Sequence, residues 1–273
     1  MRDLAVIIVS YNARADLERC LASLAVAPPT TPHQVVVVDN ASSDGSPSAV
    51  TSTYPDVRLI ALDCNVGFGR ANNVGIRATG SEYVLLLNND TVVPAGAIDL
   101  LVAELDAHPE VAIIGPRLVD ASGRPEISFG RMIGPLNEAR QKLLGTLYQR
   151  GFAPAVRHVE GRIRVSHDPD WVSGACLLAR RADLDAVGLF DERFFLYTED
   201  VDLCASVRAL GRKVRFTPHV QVTHLRGQSR HCDQSAASRA YLQSRLAFYR
   251  KHHPRWVAVL RWYLRMTGRG GRD

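Results

Sequence analysis

The sequence predicts an α/β protein whose core is a mostly parallel β-sheet covered by helices on both faces. Short runs of apolar, often β-branched residues alternate with segments of helical periodicity through the first 120 residues. This alternation is typical of parallel strands joined by crossover helices. Several of the runs end in polar residues. Ligands of open α/β sheets bind outside the carboxyl ends of the strands, so these polar residues are candidates for a binding site.

The first 120 residues are predicted to hold five strands and three helices. Leu17, Cys20, Leu21 and Leu24 recur at the spacing of one helix face, and Pro94 stands where a helix would begin. The predicted helices span 15–24, 69–78 and 94–109. The predicted strands span 4–12, 33–46 (where the strand runs into a turn-forming cluster), 57–62, 82–91 and 111–119.

The second half is less regular. Residues 121–168 are rich in glycine and proline, and 137–150 is the one clear helix, so we expect a mobile or substrate-facing insertion there. Residues 171–211 are predicted to form a strand, a short helix and a helix beginning near Asp200. The remaining predicted elements are an edge strand of alternating polarity at 213–224 and a basic amphipathic helix at 237–256.

Composition limits the class of protein. A chain of 273 residues fits one large domain, or one domain with an appendage. No apolar run reaches the roughly 18 residues of a spanning helix, and the amino terminus has no small-residue cleavage site of a signal peptide. The five cysteines are odd in number and form no CxxC pair, which favours reduced thiols over disulfides or zinc. We therefore expect a cytoplasmic protein.

The charge is unevenly distributed along the chain. Residues 224–273 contain 11 Lys and Arg against 2 Asp and Glu, whereas the remainder contains 22 basic and 26 acidic residues. A basic tail on a mildly acidic body points to an anionic surface as a partner. Aromatic residues between the basic ones suit an anionic bilayer, and a helix packed on the body with a solvated basic face is the equal alternative. No nucleic-acid-binding motif accompanies the charge.

Two carboxylates follow predicted strands directly. Asp39 comes after four valines, where it can accept a hydrogen bond from a nucleobase N–H or a ribose hydroxyl. Asp90 can hold Mg²⁺ or Mn²⁺ beside a pyrophosphate, or cap the helix that starts near Pro94. Asp44, which precedes Gly45, is at least as well explained by a turn with helix-capping residues.

Three further signals are ambiguous when taken singly. The segment "NVGFGRANNVG" lacks the third glycine of a dinucleotide fingerprint, so its glycines serve either nucleotide contact or a structural turn. Glu199 and Asp200 stand at a predicted helix start, as capping carboxylates or as a general base. His224 follows a strand and is a candidate ligand of metal or phosphate.

The order of the motifs is more specific than any one of them. "VSYN", "VVVVDNASSDGS", "NVGFGRANN", "LLLNNDT", "WVSGACLLARR", "FLYTEDVDLC" and "HLRGQS" together resemble the family 2 inverting glycosyltransferases, in particular their rhamnosyltransferase-like branch. The resemblance covers about residues 4–250. It implies a GT-A fold, a Rossmann-like catalytic domain over 1–235 with a nucleotide-binding half (1–120) and an acceptor-binding half (121–235). Residues 236–273 would form the basic C-terminal helical segment.

The resemblance also implies roles for individual residues. Asp200 matches the catalytic base, and Asp90 matches the last acid of the DxD metal motif, with His224 near metal and diphosphate. Asn88 stands where many members have the first acid, so the strictness of the metal requirement is open. The acceptor and donor-sugar site is assigned to Trp171, Ser173, Gly174, Ala175 and Glu199. The nucleotide site is assigned to Ser10, Tyr11, Asn12, Asp39, Asn65, Gly69, Asn72, Asn88 and Asn89.

The expected reaction is transfer of a sugar, with inversion, from a nucleoside diphosphate sugar to a hydroxyl of a glycan or lipid-linked acceptor, with Mg²⁺ or Mn²⁺ as cofactor. The first expectation is rhamnose from dTDP-rhamnose, for polysaccharide or cell-wall synthesis. A UDP-hexose or UDP-galactofuranose transferase and a non-catalytic sugar-nucleotide-binding module are the alternatives. A sugar nucleotidyltransferase is disfavoured, because "SYNARADLE" after the first strand holds no glycine-rich loop. Peripheral contact with the inner face of the membrane and a homo-oligomer remain open.

Overall fold

The computed structural model describes residues 3–225 and 234–266, and it confirms the α/β class. The strands are β1 Leu4–Ser10, β2 His33–Asp39, β3 Arg58–Ala61, β4 Tyr83–Asn88, β5 Thr91–Val92, β6 Val111–Val119, β7 Phe129–Gly130, β8 Trp171–Val172, β9 Cys176–Arg180 and β10 Lys213–His224. The helices are α1 Arg14–Val26, α2 Ser46–Thr53, α3 Phe68–Arg77, α4 Ala97–Asp106, α5 Pro135–Gln149, α6 Ala153–Ile163, α7 Arg181–Val187, α8 Glu199–Ala209, α9 Gln234–His252 and α10 Val257–Met266.

The main sheet is mostly parallel, as predicted, with the strand order β3-β2-β1-β4-β9-β6-β10-β5. β1 pairs in parallel with β2 and β4, and β6 pairs in parallel with β10. β9 runs antiparallel between β4 and β6. Because β9 comes from the predicted acceptor-binding half, the two halves share one sheet, and residue 120 is not a boundary between separate bodies.

Alternation along the central strands divides the core into two layers. Val6 and Ile8 of β1 pack with α1 and α4 on one face, and Ala5 and Ile7 pack with α3, α6 and α8 on the other. Helices therefore cover both faces, because successive side chains of a buried strand point to opposite sides of a sheet. β10 pairs with β5 only at its last two residues, so most of its outer side lies at the sheet edge, as predicted.

Helix α2 is the first element that the sequence analysis missed. Its sequence, "SPSAVTST", has too few apolar residues to show a helical period, and the stretch before it was predicted as a turn cluster. The carboxylate of Asp44 accepts hydrogen bonds from the backbone amides of Arg14 and Ser46. Asp44 therefore links the starts of α1 and α2 as a turn residue, whereas the N-cap positions of these helices are Ala13 and Gly45.

The region predicted as a loosely ordered insertion contains two helices rather than one. α5 lies close to the helix expected at 137–150, but α6 was missed. Ala155, Val159 and Ile163, spaced by four residues, are the buried side of α6. Gly161 and the charged residues between them obscure this period in the sequence.

The basic tail packs on the body of the protein. Pro254 separates α9 from α10, so the helix predicted over 237–256 ends at His252. Phe248 and Leu260 pack in one apolar cluster with Phe194 and Val201, which belong to the loop before α8 and to α8 itself. Lys251 donates a 2.7 Å hydrogen bond to Asp202 of α8. No helix in the ranges described above is long and apolar enough to cross a membrane.

Candidate active site

The site begins where β1 and β2 end side by side, with Ser10 opposite Asp39. The carboxylate of Asp39 is 2% exposed. Its Oδ2 accepts a 2.9 Å hydrogen bond from the amide of Ser42, whereas its buried Oδ1 has no hydrogen-bond donor within the described residues. Buried polar atoms are nearly always paired, so Oδ1 is suited to accept a hydrogen bond from a ligand.

The loops beside Asp39 form the wall of this end of the site. Asn12 has a left-handed backbone (φ 48°), and its amide and side chain bond to Ser42 and Ser43. The neighbouring Tyr11 is 39% exposed at the rim. These contacts join the loop after β1 to the loop after β2 and place both beside Asp39.

The glycine-rich segment packs closely against the loop before α8. A Cβ at Gly67 would lie 2.4 Å from the carbonyl oxygen of Phe195, so the close approach of the two loops requires glycine. A Cβ at Gly69 would lie 3.3 Å from the Cβ of Phe190 and 3.6 Å from the Cβ of Glu199, which is a tight but less restrictive contact. Asn72 is buried and donates to the carbonyl of Phe68. The nucleotide roles assigned to Gly69 and Asn72 stay predictions, and their observed contacts are intramolecular.

Asn65 also holds this segment in place. Its Oδ1 accepts hydrogen bonds from the side chain of Asn40, at 2.9 Å, and from the amide of Gly67, at 3.0 Å. These contacts orient the loop that leads into α3. They do not test the nucleotide role of Asn65, which stays a prediction.

The end of β4 connects the two halves of the site. The side chain of Asn89 donates to Ser10 Oγ at 3.2 Å, on the nucleotide side. The amide of Asn88 donates to the carbonyl of Ala175 at 2.9 Å, on the acceptor side. The polar residues at the end of this buried strand therefore tie the carboxyl end of β1 to the segment between β8 and β9.

Asp90 faces His224 and does not cap a helix. The next helix, α4, begins only at Ala97, after a left-handed Gly96, so the capping alternative is wrong. His224 Nε2 lies 3.2 Å from Asp90 Oδ1, and Asn88 Nδ2 lies 3.5 Å from the same nitrogen. Residues 226–229 of the "HLRGQS" motif lie outside the described residues.

A second acid, Glu126, contacts His224 from the other side and was missed by sequence reasoning. Its Oε2 lies 3.2 Å from His224 Nδ1. Burial lowers the pKa of His224, but the carboxylates of Asp90 and Glu126 more than offset this and raise it to about 9. The turn residues of "DASGRPE" could have indicated a hairpin before Glu126, but no local pattern links it to a residue 98 positions away.

Asp200 lies in the first turn of α8 and is held by backbone amides. Gly174 and Val201 each donate a 2.8 Å hydrogen bond to its carboxylate. Burial raises the pKa of Asp200 above its ordinary value, although these hydrogen bonds act in the opposite direction. Tyr197 and Thr198, immediately before α8, both have left-handed backbones, a strained arrangement often found at functional sites.

Glu199, next to Asp200, is almost completely buried. Its Oε2 has no hydrogen-bond partner among the described residues. Burial and then the charge of Asp200 raise the pKa of Glu199 well above its ordinary value. Backbone hydrogen bonds favour the ionised form of both carboxyl groups, and the carboxylate of Asp200 is the one held by an amide of another element, that of Gly174.

Residues 171–175 connect Asp200 to the rest of the predicted acceptor-binding half. Trp171 Nε1 donates to the carbonyl of Arg131 at 2.8 Å, and its ring leaves no room for a Cβ at Gly130. The amide of Ser173 donates to the carbonyl of Ser128 at 2.8 Å. These contacts fix the position of Gly174, and through it the carboxylate of Asp200.

A continuous set of contacts thus links the segments that carry Asp39, Asp90 and Asp200. Asp39 lies beside Ser10, which is bonded to Asn89, the residue before Asp90. Ala175 bonds to Asn88, and its neighbour Gly174 bonds to Asp200. The arrangement can bind a nucleotide at one end and accept a proton at the other.

The residues around Asp90 fit a divalent cation. No group of three His, Cys, Asp or Glu side chains within residues 3–225 and 234–266 forms a complete metal cluster. However, Asp90 Oδ1 is buried, and the group facing it is the imidazole Nε2 of His224 at 3.2 Å, itself a metal-binding atom. One carboxylate and one imidazole suit a cation that takes its other ligands from a diphosphate and water.

Comparisons with known proteins agree with this geometry. A family model described as Glycosyl transferase family 2 matches residues 5–185. The chain is 34% identical over 276 residues to the N-acetylglucosaminyl-diphospho-decaprenol L-rhamnosyltransferase of Mycobacterium tuberculosis, which covers 96% of this chain and 89% of that protein. It is 28% identical over 211 residues to the low-salt glycan biosynthesis hexosyltransferase Agl10 of Haloferax volcanii, with 76% and 62% covered.

Solved structures with the same fold carry nucleotide and metal. A mannosyltransferase from Pyrobaculum calidifontis, in complex with GDP-Man and Mn²⁺, superposes with a TM-score of 0.61 at 21% identity, covering 94% of this chain and 67% of that one. TarS 1–349 of S. aureus, in complex with UDP, superposes with a TM-score of 0.58 at 19% identity, covering 90% and 65%. At these identities the likeness shows the fold.

Proposed function

This chain belongs to glycosyl transferase family 2, and from that premise we propose that it is an inverting transferase for a lipid-linked acceptor. It moves a sugar from a nucleoside diphosphate sugar to a hydroxyl of that acceptor. The observation that carries the proposal is the carboxylate of Asp200, held by the amides of Gly174 and Val201 at one end of a site whose other end is Asp39. Asp200 then provides the base that deprotonates the sugar-acceptor hydroxyl, and Asp39 provides an oxygen that accepts a hydrogen bond from the nucleotide.

Asp39 selects the nucleotide in this proposal. Its unpaired Oδ1 accepts a hydrogen bond from the ring N–H of a thymine or uracil base. dTDP-rhamnose is our first choice of donor, and the similarity to an L-rhamnosyltransferase supports it. A UDP-hexose or UDP-galactofuranose is the second choice, supported by the more distant likeness to a hexosyltransferase.

Asp200 acts as the general base. Its carboxylate takes the proton of an acceptor hydroxyl while the hydroxyl oxygen forms a bond to the anomeric carbon. The bond from that carbon to the diphosphate breaks on the opposite face, which inverts the configuration. General-base assistance contributes about 10²–10⁴ in rate.

Asp90 and His224 would hold Mg²⁺ or Mn²⁺ near the diphosphate. When bound, such an ion stabilises negative charge on the leaving diphosphate as a Lewis acid. Asn88, which lies beside His224, contributes no charge, so the chain holds the cation with one carboxylate fewer than many members of its family.

The acceptor is proposed to be lipid-linked, and α10 to contact an anionic membrane at its cytoplasmic face. The relative from Mycobacterium tuberculosis is named for a diphospho-decaprenol acceptor. Trp256 and Trp262 are 46% and 63% exposed, and Arg261 and Arg265 are exposed beside them. Residues 234–266 contain no Asp or Glu. Exposed aromatic and basic side chains together suit the interface of an anionic bilayer.

The test combines a donor panel with one substitution. The purified enzyme is incubated with dTDP-rhamnose, UDP-glucose or UDP-galactofuranose, and a lipid-linked N-acetylglucosaminyl diphosphate, and the anomer of the product is read by NMR. Asp200→Asn should lower turnover about 10²–10⁴-fold without changing the Kd for the nucleotide. Asp185→Asn, an exposed carboxylate on α7, is the control.

Two outcomes would contradict the proposal. Near-normal turnover of Asp200→Asn would remove Asp200 as the base. Nucleotide binding without transfer or hydrolysis of any donor would favour the non-catalytic binding module.

A further inference from the structure

The turn after β6 brings an acidic side chain to the end of β10. The amide of Asp120 donates to the carbonyl of Arg124, Gly123 takes a left-handed backbone (φ 79°), and the amide of Glu126 donates to the carbonyl of Leu118. The chain therefore folds back along the end of β6. β10 is the neighbouring strand, with Thr223 opposite Val119, so Glu126 arrives beside His224.

Glu126, His224 and Asp90 form a line of three largely buried side chains. Their side-chain exposures are 8%, 13% and 11%. Glu126 Oε2 lies 3.2 Å from Nδ1 of the imidazole, and Asp90 Oδ1 lies 3.2 Å from Nε2. One ring nitrogen thus faces Glu126, and the other faces the carboxylate proposed to hold the cation.

We propose that Glu126 is a positioning residue for the metal ligand His224. Glu126 accepts the hydrogen of Nδ1, which fixes the ring orientation. When a cation binds at Asp90, it displaces the proton of Nε2 to solvent, and the lone pair of Nε2 is then directed towards the cation. Metal-binding histidines commonly bond through their other nitrogen to a carboxylate, and that contact strengthens the ligand. The inference rests on the proposed function, because it presupposes the cation beside the donor diphosphate.

Glu126 also compensates for a missing charge. Asn88 carries no charge, and its side-chain nitrogen lies 3.5 Å from His224 Nε2. The carboxylate of Glu126 lies on the far side of the imidazole and adds one negative charge near the cation without contacting it directly. We therefore expect the affinity for the cation to depend more strongly on His224 than it would in a site with two acids on β4.

The test measures Mn²⁺ affinity directly. Free Mn²⁺ is titrated by electron paramagnetic resonance against the full chain in the presence of dTDP, and in parallel with UDP. Glu126→Ala removes the hydrogen-bond acceptor and the charge and should weaken Mn²⁺ binding about 10–100-fold. Glu126→Gln keeps an acceptor for the Nδ1 hydrogen but loses the charge, so an intermediate loss is expected.

The controls separate this role from a general effect on folding. Glu160→Ala removes a carboxylate that pairs with Arg164 on the surface and should leave Mn²⁺ affinity unchanged. His224→Ala should weaken binding at least as much as Glu126→Ala, and combining the two changes should add little to His224→Ala alone. Melting temperatures are recorded for each variant, and Glu126→Gln serves if Glu126→Ala does not fold.

The outcomes distinguish the inference from the proposed function. Mn²⁺ affinity within twofold of the native protein in both Glu126 variants, with His224→Ala weakened, overturns the role of Glu126 and leaves the metal site intact. If His224→Ala is unchanged while Asp90→Asn is weakened, both His224 and Glu126 are removed from the metal site. Unchanged binding in all of these variants, or no binding by the native protein, also overturns the metal part of the proposed function.

Discussion

The backbone amide of Gly174 donates a 2.8 Å hydrogen bond to Asp200 Oδ2, and a Cβ at position 174 would lie only 3.2 Å from the Cβ of Asp200. The segment between β8 and β9 and the first turn of α8 are therefore in contact at this point without a side chain between them. The carboxylate of Asp200 takes its direction from a backbone group of another element.

Gly174→Ala should lower turnover with little effect on nucleotide binding. The added methyl group must displace Asp200 by a few tenths of an ångström, and small misplacements of a catalytic group are costly. We expect a loss of about tenfold in kcat, measured by steady-state kinetics. Gly161→Ala in α6 is the control, because no atom lies within 4 Å of a Cβ there. A kcat for Gly174→Ala within twofold of the native value would contradict the prediction.

Glu199→Gln should stabilise the protein at high pH. The pKa of Glu199 is raised in the folded state from an ordinary value of about 4.5, first by burial and then by Asp200. The folded protein therefore binds this proton more tightly than the unfolded chain, so native stability falls as pH rises above about 4.5. The Gln variant lacks this loss. Its melting temperature relative to the native protein should increase between pH 5 and pH 9, and a pH-independent difference would refute the assignment.

Asp39→Asn should weaken nucleotide binding. The carboxylate offers a buried, unpaired oxygen, and a hydrogen bond to a charged group contributes about 1.5–3 kcal/mol. We expect the Kd for dTDP, measured by calorimetry, to rise about tenfold or more. Asp185→Asn on the exposed side of α7 should leave the Kd unchanged. Equal affinities for Asp39→Asn and the native protein would remove Asp39 from the nucleotide site.

Asn88→Asp should strengthen the binding of Mn²⁺. The change places a second carboxylate within reach of His224 and Asp90, and hard divalent cations prefer anionic oxygen ligands. The Mn²⁺ Kd in the presence of dTDP should fall. Asn137→Asp on α5 changes the net charge equally, far from this cluster along the chain, and serves as the control. An unchanged or weaker affinity in Asn88→Asp would count against a cation at this position.

Membrane contact by α10 and the turn before it should depend on their exposed arginines. Neutralising Arg255, Arg261 and Arg265 together should weaken binding to vesicles with anionic lipid about hundredfold at low salt, at about 1 kcal/mol for each charge. Co-sedimentation measures the bound fraction. Truncation is less informative, because it would also remove Leu260 and Leu264 from the apolar cluster beside α8.

The control for α10 is a second triple substitution with the same change in charge. Arg150, Arg157 and Arg164 are exposed in and beside α6 and should contribute little to vesicle binding. Equal losses of vesicle binding in the two triple variants would show that the loss reflects net charge and not the position of the arginines. No vesicle binding by the native protein would contradict the membrane proposal.

Local patterns were sufficient for much of the fold. The strands of the first half carry uninterrupted apolar runs, and Asp39 could be singled out because it follows four valines directly. Helices α2 and α6 were missed for the opposite reason. Their buried faces consist of a few small or widely spaced residues, and tertiary packing stabilises them despite a weak period.

Periodicity was enough to indicate the α/β class, and the order of the motifs was enough to indicate the family and the polar residues at the ends of β1, β2 and β4, because each of these signals lies within a short stretch of the chain. Tertiary structure alone decided that Asp90 faces His224, that Glu126 lies behind it, and that the basic tail packs against α8. Each of these contacts joins residues about 50 to 135 positions apart. Such pairs meet only when neighbouring strands and packed helices bring distant segments together, and no local pattern specifies them.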